Sequence, residues 1–270
     1  SVETRPESSG FSLAVLSFGL SSRGFSMKVY DAPDIRNVAF IGHGDCGKTS
    51  LVSALLFVAG AVNRLGRVDD GTATTDFDEE EIDRKISLQT SLAHLEWRGT
   101  KVNLIDTPGY AAFAADAKAG LAVADAALLL VEAVAGVQVI TERVFQYCQE
   151  YQVPRVFVIN KLDRENASFE RTMQSILERF DRRAVPIQIP MGAETGFEGI
   201  VDLITMKAHR YLKDGSGQAT TGDVPADLAD LAKEYHAKLV EMVAESDDAL
   251  MEIFFEGGEI PHDKMVAGLH

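Results

Sequence analysis

The chain has 270 residues, 46% of them hydrophobic, which is enough for a substantial core in one large domain or two small ones. Its formal net charge of −15 argues against a broadly basic nucleic-acid surface and against adhesion to anionic membranes. No apolar run approaches the ~20 residues that a membrane span needs, and two cysteines, Cys46 and Cys148, cannot build a disulfide framework. We therefore expect a protein of the reducing cytoplasm with no membrane partner.

Residues 1–34 are interpreted as an N-terminal extension that precedes the folded part. The apolar run at 11–20 has the length of a signal-peptide core, but Arg5 lies between two glutamates, so no basic segment precedes the run. Met27 suits the start of the folded part better. We expect the extension to be disordered and residues 1–26 to be dispensable.

Residues 40–49 read F-I-G-H-G-D-C-G-K-T and lie between an apolar run at 37–42 and a helix-like run that ends near Gly60. In this strand–loop–helix setting, G-x-x-x-x-G-K-[ST] predicts a loop that wraps phosphate oxygens with backbone N–H groups, rather than a chance glycine-rich turn. Lys48 is expected to reach the β- and γ-phosphates, and the Thr49 hydroxyl to coordinate Mg²⁺. The predicted nucleotide-binding residues of the loop are Gly42, His43, Gly44, Asp45, Cys46, Gly47, Lys48, Thr49 and Ser50.

A polar segment at 63–86, with an acidic cluster at 76–83, follows the first helix. A loop of this length in a compact domain is usually functional, and in a phosphate-loop protein it falls where the first switch belongs. Two strand-like runs come next, and the second ends in D-T-P-G. Asp106 at that strand end is placed to hold Mg²⁺ through water, and the N–H of Gly109 to contact a γ-phosphate oxygen.

Apolar strand-like runs alternate with helix-like runs through the first two-thirds of the chain. The strand-like runs lie at 37–42, 91–97, 102–106, 125–133 and 155–160, and the helix-like runs at 48–60, 111–124, 137–151 and 169–181. Strands that are nearly all apolar need cover on both sides. The alternation therefore predicts an α/β fold, with a mostly parallel sheet and helices on both faces.

The last of these strands runs into N-K-L-D, where the carboxyl end of a parallel strand predicts a ligand-facing loop. Asp163 can accept hydrogen bonds from both the N1–H and the 2-amino group of guanine, a pattern that adenine does not offer. Asn160 would bridge the base and the phosphate loop, and the Lys161 stem would cover the ring. Alternatively, Asp163 caps a helix that starts at Glu165 or Ser168, and taken alone the two interpretations are equal. As the third motif in this order, N-K-L-D favours guanine and argues against an ATPase.

Beyond residue 182 the chain departs from a minimal nucleotide-binding core. The pattern predicts short strands and turns at 184–211, a polar hairpin tip or disordered loop at 214–221, an amphipathic helix at 225–245 and two shorter helices at 247–255 and 261–269. We interpret residues 35–182 as the core and residues 183–270 as an inserted α+β subdomain.

Together these residues resemble the GTPase domain of translation elongation factor G. The shared segments are I-R-N-V-A-F-I-G-H, G-K-T-S-L, I-D-T-P-G-Y, V-I-N-K-L-D-R, and the insert V-P-I-Q-I-P-M-G with F-E-G-I-V-D-L-I-T-M-K-A. The insert resembles the extra subdomain within the GTPase fold of elongation factor G; peptide release factor 3 and the tetracycline-resistance ribosome-protection proteins are relatives. The resemblance implies a phosphate-loop (P-loop) GTPase fold with an inserted subdomain and GTP hydrolysis to GDP with Mg²⁺. It also implies binding to the ribosome, including stalk proteins, to promote movement of tRNA and mRNA.

The resemblance also assigns residues in the switches. Ser87 stands where the pattern E-R-G-I-T has its threonine, and its hydroxyl would serve Mg²⁺ and the γ-phosphate side. Tyr110 stands where D-T-P-G-H has the histidine that orients the attacking water, and Gly44 replaces a common valine beside that water. A tyrosine can hydrogen-bond water but, unlike histidine, cannot become a cation near neutral pH. We therefore expect slow intrinsic hydrolysis or a changed water-positioning role. The predicted catalytic residues are Lys48, Ser87, Gly109 and Tyr110, and the predicted metal-binding residues are Thr49, Ser87 and Asp106.

Further expectations concern affinity, assembly and alternative roles. A G-S-A-like guanine-contacting loop does not occur after Leu203, so we expect weakened nucleotide affinity. We expect the isolated domain to be monomeric, although an exposed sheet edge could promote association. Two alternative functions stay open: a ribosome-protection or release/recycling GTPase, and a GTP-dependent ribosome-binding regulator with negligible hydrolysis. Tyr110 is the residue that keeps the second alternative open.

Overall fold

The computed structural model describes residues 28–180, 182–212, 214, 216–256 and 260–269. Most of the predicted extension, residues 1–27, therefore lies outside the described residues. Its last part is described: Ala32–Asp34 form a short 3-10 turn, and Lys28 pairs with Glu96 at 3.0 Å. Contacts with the core thus start before the predicted boundary at residue 35.

The larger sheet has its strands in the order β2-β3-β1-β4-β5. They are β1 (Ile35–Gly42), β2 (Ser91–Trp97), β3 (Thr100–Asp106), β4 (Ala126–Glu132) and β5 (Arg155–Asn160). All of them run parallel except β2, which pairs antiparallel with β3. The carboxyl ends of β1, β3, β4 and β5 therefore meet at one edge of the sheet.

Helices cover both faces of this sheet. The helices of this part of the chain are α1 (Lys48–Val58), α2 (Glu79–Arg84), α3 (Ala114–Leu121), α4 (Val139–Glu150) and α5 (Phe169–Arg179). Alternate residues of β1 point to opposite faces: Phe40 packs with Val52 and Leu56 of α1, whereas Ala39 and Ile41 pack with α3, α4 and α5. This burial on both sides explains why the strands are nearly all apolar, and the predicted fold class is confirmed.

The chain beyond α5 forms a second, antiparallel sheet, and the core of this sheet also includes Phe169 of α5. Its strands, paired in chain order, are β6 (Gln188–Met191), β7 (Gly199–Asp202), β8 (Lys207–Tyr211) and β9 (Ala219–Asp223). Helix α6 (Ala229–Ala244) buries Ala232 and Leu239 against Ile189 and Val201 of this sheet. The helices α7 (Asp248–Phe255) and α8 (His262–Gly268) join α6 in a smaller cluster of Val243, Leu250 and Met265. In the described ranges, no helix has both the length and the apolar character needed to cross a membrane.

Two boundaries in this second part differ from the sequence prediction. The polar stretch at 214–221 is only partly a hairpin tip, because Ala219 begins a strand whose threonines pair with β8. The amphipathic helix begins at Ala229 rather than at 225. A turn precedes it, closed by a 3.0 Å hydrogen bond from the N–H of Leu228 to the carbonyl of Pro225.

The packing of α6 on the second sheet can be tested by truncation. Leu239 is fully buried, so Leu239→Ala should lower the free energy of unfolding by about 2–5 kcal/mol. Leu231→Ala on the same helix is the matched control: its side chain is 38% exposed, so it should cost less than about 1 kcal/mol. Urea unfolding followed by circular dichroism measures both. Equal losses would contradict this packing.

Candidate nucleotide-binding site

The phosphate loop joins β1 to α1 at the carboxyl edge of the larger sheet. Gly47 precedes α1 with a φ of 96°, in the left-handed region that favours glycine. A Cβ on Gly47 would also lie only 2.4 Å from Nδ2 of Asn160. That amide donates to the carbonyl of Cys46 at 2.9 Å. The glycine thus lets the N-K-L-D segment attach directly to the phosphate loop.

Lys48 folds back into the loop and is 6% exposed. Its Nζ donates to the carbonyls of His43 at 2.9 Å and Gly42 at 3.3 Å. Gly109 packs against the Lys48 ammonium group and the phosphate loop: a Cβ on it would lie 2.4 Å from Lys48 Nζ and 2.6 Å from the backbone N of Gly44. The structure therefore brings Lys48 and Gly109 together, and residue 109 has no room for a side chain.

Oxygen-bearing side chains meet beside the first turn of α1. Thr49 Oγ1 and Ser87 Oγ lie 3.1 Å apart. Asp106 is 1% exposed and accepts from Thr75 Oγ1 at 2.7 Å, while its Oδ1 has no hydrogen-bond partner among the described residues. Hydroxyl and carboxylate oxygens are the hard ligands that Mg²⁺ prefers, so this donor set fits the ion. The three predicted metal-binding residues thus lie together.

Two acidic residues of the predicted first switch are buried next to this donor set. Asp76 is 5% exposed, and its Oδ1 accepts from Ser87 Oγ at 3.4 Å. Burial, together with the carboxylates of Asp106 and Glu81, raises the pKa of Asp76 to about 6. Glu81 is fully buried, and its Oε1 accepts from the next two backbone N–H groups after Ser87, at 2.8 and 3.2 Å. Neither role was predicted, because a run of acidic residues in a sequence is typical of a solvent-exposed segment.

Glu132, at the end of β4, lies between the phosphate loop and the N-K-L-D segment. Its Oε1 is 3.2 Å from Lys161 Nζ, and its Oε2 is 3.7 Å from Nε2 of His43. The imidazole is buried in the loop, and its Nδ1 lies 3.3 Å from Thr141 Oγ1 of α4. Burial and the nearby Lys48 lower the pKa of His43, so it is neutral near neutral pH. The contacts of Glu132 were not predicted, because the sequence shows it only as the last residue of an apolar strand.

Asp163, the predicted guanine reader, lies exposed in the loop after β5. It does not cap the following helix: Ser168 does so, by accepting from the N–H of Arg171 at 3.2 Å. The alternative role as a helix cap is therefore filled by another residue. Asp163 follows Asn160 and Lys161 in the chain, and these two residues contact the phosphate loop and Glu132, respectively.

The remaining predicted residues take distinct positions. Cys46 is fully buried, and burial raises the pKa of its thiol, so it serves packing rather than reactivity. Ser50 lies exposed on the first turn of α1.

Asp45, with a φ of 63°, accepts from the Tyr110 hydroxyl at 3.1 Å. Burial and Asp45 raise the pKa of Tyr110, so the phenol stays a neutral donor near neutral pH.

The sheet, the loop and the buried lysine define a nucleotide-binding protein of the phosphate-loop class. A model of the family described as elongation factor Tu GTP binding domain matches residues 33–257. The chain therefore belongs to this family and is a GTP-binding domain of the translational GTPase type. It is also similar to the crystal structure of a protein from Thermus thermophilus, with 34% sequence identity and a TM-score of 0.81. That match covers 87% of this chain and 35% of the other, so the chain spans about a third of the length of that relative.

The raised pKa of Asp76 predicts a stability that falls as the pH rises. Because its pKa is about 6 in the folded chain against an ordinary 3.8, folding favours the protonated acid. That stabilisation is full below about pH 4 and is lost as the pH rises through about 6. Asp76→Asn should therefore stabilise the metal-free chain by about 1–3 kcal/mol at neutral pH and give no gain below about pH 4. Urea unfolding in the presence of a chelator measures this.

Asp83→Asn is the matched control, because Asp83 is exposed on the same helix, α2. It should leave the pH profile unchanged. Saturating Mg²⁺ with GDP should remove the advantage of Asp76→Asn, because a cation at the site favours the carboxylate. If the stability of Asp76→Asn depended on pH in the same way as that of the wild type, the proposed effect of burying the Asp76 carboxylate would be wrong.

Glu132→Gln should weaken GDP binding about threefold to tenfold, the range expected when a partly buried ion pair loses its charge. The variant keeps the size of the side chain but weakens its hold on Lys161 Nζ. Glu142→Gln is the control: it weakens an exposed pair between Glu142 of α4 and Arg179 of α5, and it should bind GDP as the wild type does. Isothermal titration with GDP and Mg²⁺ measures the affinities. An equal loss in both variants would remove Glu132 from the site.

Proposed function

We propose that the chain is the GTP-binding and GTP-hydrolysing domain of a ribosome-associated translation factor similar to elongation factor G. The observation that carries the proposal is the contact between the first switch and the phosphate loop. Ser87 Oγ lies 3.1 Å from Thr49 Oγ1, although the two residues are 38 positions apart in the chain, and the buried Asp106 lies beside them. A switch that meets the metal-binding hydroxyl of the loop is placed to respond to the state of the nucleotide.

The residues of the chain provide binding and positioning in this mechanism. The Lys48 ammonium group is held by loop carbonyls where it can neutralise charge on the β- and γ-phosphates. The N–H of Gly109 would donate to a terminal phosphate oxygen, and Tyr110 closes the loop at its outer side. Thr49, Ser87 and Asp106 would hold Mg²⁺, which when bound supplies further charge neutralisation on the phosphates. Catalysis of this kind comes mainly from oriented donors and fixed charges.

Guanine specificity is proposed for the segment after β5. Asn160 is fixed by its bond to the Cys46 carbonyl, and the Lys161 head by its pair with Glu132. Asp163 follows them with an exposed carboxylate that can accept the two guanine donors. These contacts support a segment that is ordered before the base arrives.

The antiparallel second part supports the resemblance to elongation factor G. Strands β6–β8 and helix α6 pack around a second core, which also includes Phe169 of α5, as expected for a subdomain inserted into and packed against the larger fold. We propose residues 35–182 as the GTPase core and residues 183–270 as the insert. The ribosome, including its stalk proteins, is the proposed partner, and the cytoplasm the proposed location. Movement of tRNA and mRNA is proposed for a whole protein, because the chain covers 35% of its structural relative.

Titration with GDP, GTP and ADP in Mg²⁺ tests the nucleotide assignment. The wild type should bind GDP and GTP at least about a hundredfold more tightly than ADP, since two hydrogen bonds to a charged group separate the bases. Asp163→Asn should lose most of this preference, whereas Glu165→Gln, at a neighbouring exposed position, should keep it. Equal binding of ADP and GDP by the wild type would contradict the guanine assignment.

Single-turnover GTP hydrolysis, with and without ribosomes, tests the enzymatic part. We expect slow hydrolysis by the chain alone and faster hydrolysis when ribosomes are added to a longer protein that includes it. Tight GTP binding with no hydrolysis under either condition would replace the enzyme by a GTP-dependent binding module.

A further inference from the structure

Tyr110 lies on the phosphate loop through contacts with two neighbouring loop residues. Its hydroxyl donates to Asp45 Oδ2 at 3.1 Å. The outer half of its ring lies against Gly44, where a Cβ would be 2.7, 2.8 and 3.1 Å from the ring atoms Cζ, Cε2 and Cε1. A carbon atom cannot approach a ring so closely without displacing it. The ring therefore takes this position only because residue 44 is glycine.

The residue before the tyrosine makes a similar contact. A Cβ on Gly109 would lie 2.6 Å from the carbonyl carbon of His43 and 2.6 Å from the backbone N of Gly44. Gly109 and Tyr110 thus lie along the loop residues His43, Gly44 and Asp45. The tyrosine side chain restrains the short segment that also carries the N–H of Gly109.

We propose that Tyr110 is a positioning residue for GTP hydrolysis, which holds the N–H of Gly109 against the phosphate loop, and that Gly44 and Tyr110 form a matched pair. The proposal rests on the GTPase function proposed above. The phenol takes no part in proton transfer; it acts by restraint, through its ring on Gly44 and its hydroxyl on Asp45. The two departures from the family pattern, glycine at 44 and tyrosine at 110, thereby become a single structural change.

The side chain of Tyr110 is 38% exposed, so its contacts contribute to local order more than to the stability of the core. Its loss should therefore lower the rate constant of hydrolysis and leave nucleotide affinity almost unchanged. A purely structural residue would change both the affinity and the unfolding midpoint. This difference makes the positioning role measurable.

The first test compares Tyr110→Phe, Asp45→Ala and the double variant in single-turnover hydrolysis at saturating GTP. Each single change removes the same hydrogen bond and should lower the rate about threefold to tenfold. The double variant should be no slower than the slower single variant, because one shared interaction is lost once. For Tyr110→Phe, the affinity for GDP should stay within about twofold of the wild type, since the bond lies outside the proposed base and metal sites.

The second test addresses the matched pair. Gly44→Val should displace the ring and lower the rate about tenfold or more, as overpacking of a close contact does. In a Tyr110→Ala background, Gly44→Val should lower the rate of hydrolysis clearly less, because the valine then has no ring to displace. Tyr151→Phe is the control: its side chain is 39% exposed at the far end of α4, and its rate should equal that of the wild type.

Amide hydrogen exchange of residues 107–113 in the nucleotide-free chain gives a readout that does not need activity. Exchange should be faster in Tyr110→Phe and in Gly44→Val than in the wild type and in Tyr151→Phe. If the wild type binds GTP without hydrolysing it, the proposed enzymatic function is wrong. Amide hydrogen exchange then still decides whether the contact of Tyr110 with the phosphate loop orders residues 107–113. If the wild type hydrolyses GTP while Tyr110→Phe and Asp45→Ala match it in rate and exchange, the inference is overturned. Additive effects in the double variant would also overturn it.

Discussion

A buried ammonium group determines how the centre of this domain is arranged. Lys48 Nζ is held away from water by the carbonyls of His43 and Gly42, which are neutral acceptors. A buried cation is costly unless an anion compensates it, and carbonyl dipoles compensate it only in part. The loop therefore keeps a positive charge ready for phosphate. The tight approach of Gly109 to the ammonium group and the loop follows from this arrangement.

Acidic side chains are concentrated a short distance away, on the side of the proposed metal-binding hydroxyls. Asp76, Asp106 and Glu81 are all buried there. Burial raises the pKa values of Asp76 and Asp106, and neighbouring carboxylates add to the effect. The free domain thus holds a cation where phosphate would bind and carboxylates where a metal ion would bind. Because ligand and metal carry the complementary charges, each would relieve an electrostatic cost that folding alone leaves in place.

The fold and the position of the phosphate loop could be predicted from the sequence because local patterns determine both. Buried parallel strands read as apolar runs, and glycines with a required backbone shape mark the phosphate loop, as Gly47 illustrates. Of the contacts between distant segments, the one from Asn160 to the phosphate loop was predicted through its motif, whereas contacts of residues outside the motifs were not predictable. Glu132 pairs with Lys161 and Asp76 meets Ser87 only because strand ends and a switch segment converge in space. Nothing in the spacing of these residues encodes that convergence.

Burial within polar segments was the other feature that sequence patterns did not reveal. Glu81 belongs to an acidic run, yet its carboxylate accepts two backbone N–H groups that follow Ser87. This links Leu88 and Gln89 to α2 through a fully buried carboxylate. Displacing residues 88 and 89 from α2 would leave the Glu81 carboxylate buried with two fewer donors, which is costly. The predicted first switch and α2 are therefore coupled in free energy through a single side chain.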